Sequence, residues 1–196
     1  MPASPIYPRA AALLALALLA ALAACNSAFT LPPATLAAAQ DTVPLWALDG
    51  TDLAHPSAYD VMQQIVARTD RTSGFDFAFD IQVDSLKDTS AVLLPRGALG
   101  LTVDGGLQVT QQAFDSITIA PTSGYQDTLA VVVKTGTVVL AASRSQTCNF
   151  GYIRPLYAKL RITTVDLVAR AVTFDILTDP NCGYRSLQAD TVPPTY

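Results

Sequence analysis

Period-two alternation dominates the chain from Val43 onward. It is clearest in Phe75-Asp76-Phe77-Ala78-Phe79-Asp80-Ile81-Gln82-Val83-Asp84. Phe75, Phe77, Phe79, Ile81 and Val83 share one side of an extended strand, with Asp76, Asp80 and Asp84 on the other. The pattern predicts an apolar face on a core and a solvated acidic face. Four residues along a strand cover about 13 Å, too far for two of these aspartates to share one calcium ion. Further strands are expected over 91–94, 99–103, 107–109, 113–120, 129–134, 137–142, 157–165 and 172–177. In 157–165, Ala158, Leu160 and Ile162 lie opposite Lys159, Arg161 and Thr163; in 172–177, Val172, Phe174 and Ile176 lie opposite Thr173 and Asp175. Asp104-Gly105-Gly106 and Thr135-Gly136 read as tight hairpin turns, because Asp and Gly tolerate positive φ. Many short strands between turn signals make an all-β antiparallel sandwich or partly open barrel.

One segment carries two patterns. Within 59–68 the apolar pairs Val61-Met62 and Ile65-Val66 recur at helical spacing, and Ser57-x-x-Asp60 resembles a capping box. A bulged strand fits the same residues. Upstream, 26–42 holds Pro32-Pro33 and an Ala-rich run without charge before Asp41. Its prolines forbid a continuous helix, so it reads as a tether, transiently helical over 34–40 and not packed.

The start of the chain has a different pattern. Residues 1–9 carry one charge, Arg9; residues 10–22 are almost purely Ala and Leu; Leu22-Ala23-Ala24-Cys25 follows. Short charged region, apolar region and small-residue junction form a signal peptide in the right order. The small residues before Cys25 make that junction a lipobox, with cleavage before Cys25 and lipid on its sulfur. A retained membrane span needs about 20 apolar residues, more than this run supplies. A plain secretory peptide cut at an Ala-x-Ala site would instead leave Cys25 a free thiol. The expected organisation is a signal peptide over 1–24, a lipidated tether over 25–42 and a β-rich domain over 43–196. This places the protein in the cell envelope, at the outer membrane.

Removing residues 1–24 leaves 172 of the 196 residues, enough for one domain with a real core. The whole chain has 12 basic and 16 acidic side chains. The leader takes only Arg9, and the remaining charges are scattered. No basic stripe exists for nucleic acid or for anionic lipid, so the membrane contact is the lipid anchor.

Cys148 and Cys182 remain as an even pair in an oxidising compartment, the setting of a disulfide. Metal ligation would need His or further Cys nearby, and redox catalysis usually uses Cys-x-x-Cys. A bridge would bring Phe150, Tyr152, Tyr184 and Arg185 together as a candidate binding surface, since Tyr and Arg anchor interfaces; the same rings could instead cover the disulfide. His55 is the only histidine. Two residues from Ser57 in an extended segment, it cannot make a nucleophile–base contact. There is no Gly-x-Ser-x-Gly elbow, Gly-rich phosphate loop or His-rich metal set. The reading is a binding protein rather than an enzyme, without a metal or cofactor of its own.

Phe75-Asp76-Phe77-Ala78-Phe79 is similar to the Trp-Asp-apolar-Ala-Phe strand of HmuY-like haem-binding lipoproteins. Tyr157-Ala158-Lys159-Leu160-Arg161-Ile162 followed by Val172-Thr173-Phe174 resembles that family's Tyr-Ala-Lys and Thr-Phe strands. The resemblance spans 75–177 and implies an antiparallel β protein that captures haem through two axial side chains. Family ligands are typically histidines, with methionine in some relatives, so the ligands here would be His55 and Met62, both outside the matching motifs. Two expectations follow. One is a non-enzymatic envelope lipoprotein that binds an unidentified protein or small ligand; the alternative is a haem carrier.

Overall fold

The alternating segments become the strands of two five-stranded antiparallel sheets in a computed structural model that describes residues 31–83, 85–148 and 151–194. The segment expected to be a signal peptide, Cys25, Asp84 and Phe150 lie outside the described residues. Pro33–Thr195 form one unit. The first sheet contains β1 (Ala39–Trp46), β6 (Gly106–Thr110), β8 (Val138–Ala142), β11 (Tyr157–Asp166) and β12 (Ala171–Asp179). Its strand order is β1-β12-β11-β8-β6. The second contains β2 (Ala58–Asp60), β3 (Ile65–Ala67), β4 (Phe77–Val83), β5 (Thr89–Pro95) and β7 (Val131–Val133), ordered β3-β2-β4-β5-β7. A short ribbon pairs β9 (Gln146–Thr147) with β10 (Ile153–Arg154). The fold is all-β, and neither sheet closes into a barrel.

Alternation explains the space between the sheets. Phe77, Phe79 and Ile81 of β4 meet Ala158, Leu160 and Ile162 of β11 and Val172, Phe174 and Ile176 of β12 in one core cluster. At its centre Tyr59, Phe77 and Phe174 form a triangle with ring centroids 5.8 to 6.0 Å apart. Burying each such side chain contributes about 1.5–3 kcal/mol.

The outer face of the first sheet is covered too. Phe114, Ile117 and Ala120 lie across it with Tyr125 and Leu187, packing on Val138, Leu140, Ala142, Tyr157 and Leu177. The expected strand over 113–120 is therefore a strap containing a 3-10 turn, Phe114–Ser116. Its buried residues recur every third position, the 3-10 period. On the second sheet's outer face a smaller cluster joins Ala58, Ala67, Phe75 and Ala78. Phe75 thus packs on the side of Ala78, opposite Phe77. The chain bends at Asp76, before β4 begins, and the five-residue apolar face narrows to Phe77, Phe79 and Ile81, with Val83 exposed.

Both expected hairpin turns do other work. Gly105 and Gly106 have φ of +80° and +147°, and a Cβ on either would lie within 2.6 Å of a carbonyl oxygen, Ala142 O or Gln126 O. They let the chain press against the end of β8 as it enters the edge strand β6. Residues 99–103 form no strand, since Leu99 closes a 3-10 turn. Around Thr135-Gly136 a turn does form, with Thr137 N–H donating to Lys134 O at 2.9 Å. It carries the chain from β7 in one sheet to β8 in the other. Segment 57–68 is neither helix nor one bulged strand. It is the hairpin β2–β3, turned by the Asp60 carboxylate, which accepts the N–H groups of Met62 and Gln63.

The tether ends earlier than its composition implies. Residues 39–42 begin β1 and pair with β12, from Ala39 opposite Thr178 to Trp46 opposite Ala171. Just before, Asn181 Oδ1 accepts the N–H groups of Thr35 and Leu36 at 3.0 and 3.1 Å, and its Nδ2 donates to Leu36 O at 2.7 Å. Ala38 is buried against the strap's cluster, whereas Ala39 to Thr42 are exposed on an edge strand, so alternation could not announce them.

Candidate functional site

The sandwich end where the chain leads into β1 is the most heavily cross-braced part of the molecule. β8 ends at Ala142, and Arg144 just beyond it reaches across to the second sheet. Arg144 Nη2 donates to Asp60 Oδ2 at 2.8 Å, and Nη1 to Asp76 Oδ1 at 3.2 Å. Arg144 N–H also bonds Asp76 Oδ1 at 2.7 Å, and Val61 N–H bonds Oδ2 at 2.7 Å. Asp60 and Asp76 are 2 % and 4 % exposed. Asp76 is therefore not on a solvated face: β4's alternation points it outward, but Arg144 covers it. Burial pushes the Asp76 carboxyl above the usual carboxylate range, opposed by the N–H bonds and charge of Arg144.

Beside this brace, Cys148 and Cys182 form a disulfide with Cα atoms 5.7 Å apart. It joins the segment between β9 and β10 to the turn after β12. Of the four residues expected around it, Phe150 lies outside the described residues and the other three differ in exposure. Tyr184 is buried, Tyr152 half-buried, and Arg185 exposed with Nη1 on Ala120 O at 2.9 Å, so its guanidinium holds the strap. His55 and Met62 are also engaged elsewhere. The exposed His55 ring stacks on Trp46 at 4.6 Å between centroids and 17° between planes, while Met62 packs on the central core. Neither lines the three clefts described next. Among the described residues no group of three or more His, Cys, Asp or Glu is placed to hold a metal ion. Nor is any helix there long and apolar enough to cross a membrane.

Three clefts are lined by described residues. One, about 660 Å³, lies between the edge strands β6 and β7 and includes Val109, Gln112, Val132 and Lys134. The other two flank the strap on the outer face of the first sheet. One, about 360 Å³, has Gln108, Thr110, Gln112 and Arg185 on its walls. The other, about 250 Å³, has Gln40, Asp115, Thr118, Lys159 and Gln188. Lys159 is 4 % exposed. The strap hides it, which the alternation of 157–165 does not reveal. Of these cleft residues the sequence reading offered only Arg185 as a candidate site residue, for a surface beside the disulfide; for the strap the one available signal was the three-residue spacing of Phe114, Ile117 and Ala120.

A buried carboxylate at the braced end sets a pH dependence. Burial pushes Asp179 up from the usual carboxylate range, against the Asn181 N–H bonds that favour its charged form. A carboxyl raised in the folded state contributes stability below its unfolded pKa and loses it as pH rises through the folded value. Asp70 and Asp175 act oppositely: bonds from Arg68 and Arg161 hold them low, so their contribution is lost in acid. Stability is expected to be highest in mild acid and to fall as pH rises above the usual carboxylate range of about 4. Thermal unfolding of Asp179→Asn, which keeps an Oδ1 acceptor for Asn181, is expected to show a smaller fall. An equal fall would remove Asp179 as its source.

No protein-family model matches the chain, and no curated protein matches it in sequence. The geometry thus defines a class by itself: a two-sheet antiparallel sandwich, braced at the end where β1 begins, with polar clefts beside a strap.

Proposed function

We propose that the protein is an exported bacterial lipoprotein, held to the cell envelope by lipid on Cys25, whose sandwich acts by binding rather than catalysis. The observation that carries this is the leader ending in Leu22-Ala23-Ala24-Cys25. The Cys148–Cys182 disulfide supports it, since such bridges persist in oxidising compartments. The binding role draws support from the clefts beside the strap, walled by amide and hydroxyl side chains. Stable anchoring by acyl chains comes from about 0.8 kcal/mol per buried methylene.

Metabolic labelling with a fatty-acid analogue tests the anchor. Wild-type protein is expected to be labelled and membrane-bound, and Cys25→Ser unlabelled and either unprocessed or soluble. Equal labelling of both would overturn the proposal. Haemin is the first ligand to titrate, because of the strand motifs shared with HmuY-like proteins and the exposed imidazole of His55. A Soret shift lost in His55→Ala would make haem the cargo.

A further inference from the structure

Five residues form one row across the outer face of the first sheet: Gln40, Leu177, Lys159, Leu140 and Gln108, each opposite its neighbour in register. The central one is a lysine. Its Nζ donates to Phe114 O at 2.8 Å and Ile117 O at 2.9 Å, and sits 4.6 Å from the Phe114 ring centroid. An ammonium has three N–H groups, so one is left. Among the described residues no carboxylate lies within ion-pair distance of it. A buried charge without an opposite partner is costly, and burial indeed holds this amine below the usual lysine range, with Asp115 opposing.

The 250 Å³ cleft beside the strap is lined by Lys159 itself. Its other polar walls are the amides of Gln40 and Gln188 and the hydroxyl of Thr118, all able to donate to oxygen. Leu177 and Leu187 supply an apolar wall. The volume equals that of roughly eight waters at about 30 Å³ each, and suits a molecule of only a few carbons. Asp115, also on the lining, repels a second negative charge. We propose that this cleft binds a small organic monocarboxylate, its carboxylate meeting Lys159 Nζ and its short apolar tail lying against Leu177 and Leu187. This gives the binding reading a ligand class and a site, and rests on that reading but not on the anchor at Cys25.

The two strap carbonyls give Lys159 a structural task as well, so the test must separate pinning from binding. The full chain in detergent is titrated with sodium butyrate, its neutral isostere butyramide and inorganic phosphate, following backbone amide chemical shifts. Butyrate is expected to give saturable shifts at Gln40, Thr118, Lys159 and Gln188. Butyramide should bind about tenfold more weakly, the loss of one charge-assisted hydrogen bond. Gln188→Leu, which leaves the strap carbonyls in place, should weaken butyrate several-fold without changing thermal unfolding. Lys159→Met should abolish the response. If that variant unfolds, Gln188→Leu and the butyramide comparison decide alone. Absence of saturable shifts with butyrate, equal binding of butyramide, or tighter binding of phosphate would each overturn the proposal. Saturable binding of haemin alongside any of these results would sink this site and leave the binding reading standing, so the two failures are distinguishable.

Discussion

Replacing Arg144 with alanine is expected to destabilise the domain by about 3–5 kcal/mol, because it leaves two buried carboxylates facing each other without a cation. Arg144 leaves the end of β8 in the first sheet, while Asp60 closes β2 and Asp76 precedes β4 in the second. The guanidinium is thus a strut between the sheets as well as a counter-charge. The value of the pair relative to apolar residues is small, since desolvation offsets most of the attraction; the loss on removing one partner is large. Two observations separate these effects. Asp60→Asn and Asp76→Asn combined with Arg144→Met should recover most of the loss, and the Arg144→Ala deficit should shrink in acid, where the stranded Asp76 carboxyl, already pushed up by burial, gains its proton. A deficit equal at pH 4 and pH 7 would assign the loss to packing rather than charge.

Phe77→Ala is the second large effect, at about 3–5 kcal/mol. The ring is 0 % exposed and contacts Tyr59 and Phe174 within the aromatic triangle. A domain of this kind has roughly 5–15 kcal/mol of stability, so one ring represents a large share. Three residues on, Asp80→Asn is expected to change stability by no more than about 0.5 kcal/mol. Asp80 Oδ1 accepts the N–H groups of Asp49 and Ile81, and asparagine retains that oxygen. Urea unfolding of both variants reads the contrast directly. Comparable losses would mean that the Asp80 carboxylate, and not merely its oxygen, holds the 47–49 crossing in place.

What could be read from the sequence follows from the range of the forces involved. Alternation is local, so the inward rows of β4, β11 and β12 were legible in Phe77-x-Phe79-x-Ile81, Ala158-x-Leu160-x-Ile162 and Val172-x-Phe174-x-Ile176. The pairing of Cys148 with Cys182 followed from there being no other thiol in the domain. Partner choice is not local. Thr135-Gly136 has the chemistry of a hairpin turn and makes one, yet the strands on either side join different sheets. Period two also cannot distinguish water from a second covering layer. Asp76 and Lys159 both fall on the polar side of the pattern, but a guanidinium from β8's end covers one and the strap covers the other. The candidate surface at Phe150, Tyr152, Tyr184 and Arg185 assumed that residues near a disulfide face the same way. Tyr184 turns inward and Arg185 turns to the strap.

The pairing of β1 with β12 fixes the order in which this chain can fold. Ala39–Trp46 has one strand neighbour, and that neighbour is Ala171–Asp179, close to the far end of the sequence. Such long-range pairing folds slowly, because loop closure must precede any stabilising contact. A chain growing from its N-terminus therefore carries β1 unpaired until nearly all of it has been made. Under the export proposed above, with the chain crossing a membrane as an extended thread, this topology would be an advantage. The first sheet could not close ahead of the translocation pore, and completion of the fold would wait for the last strand to arrive on the far side.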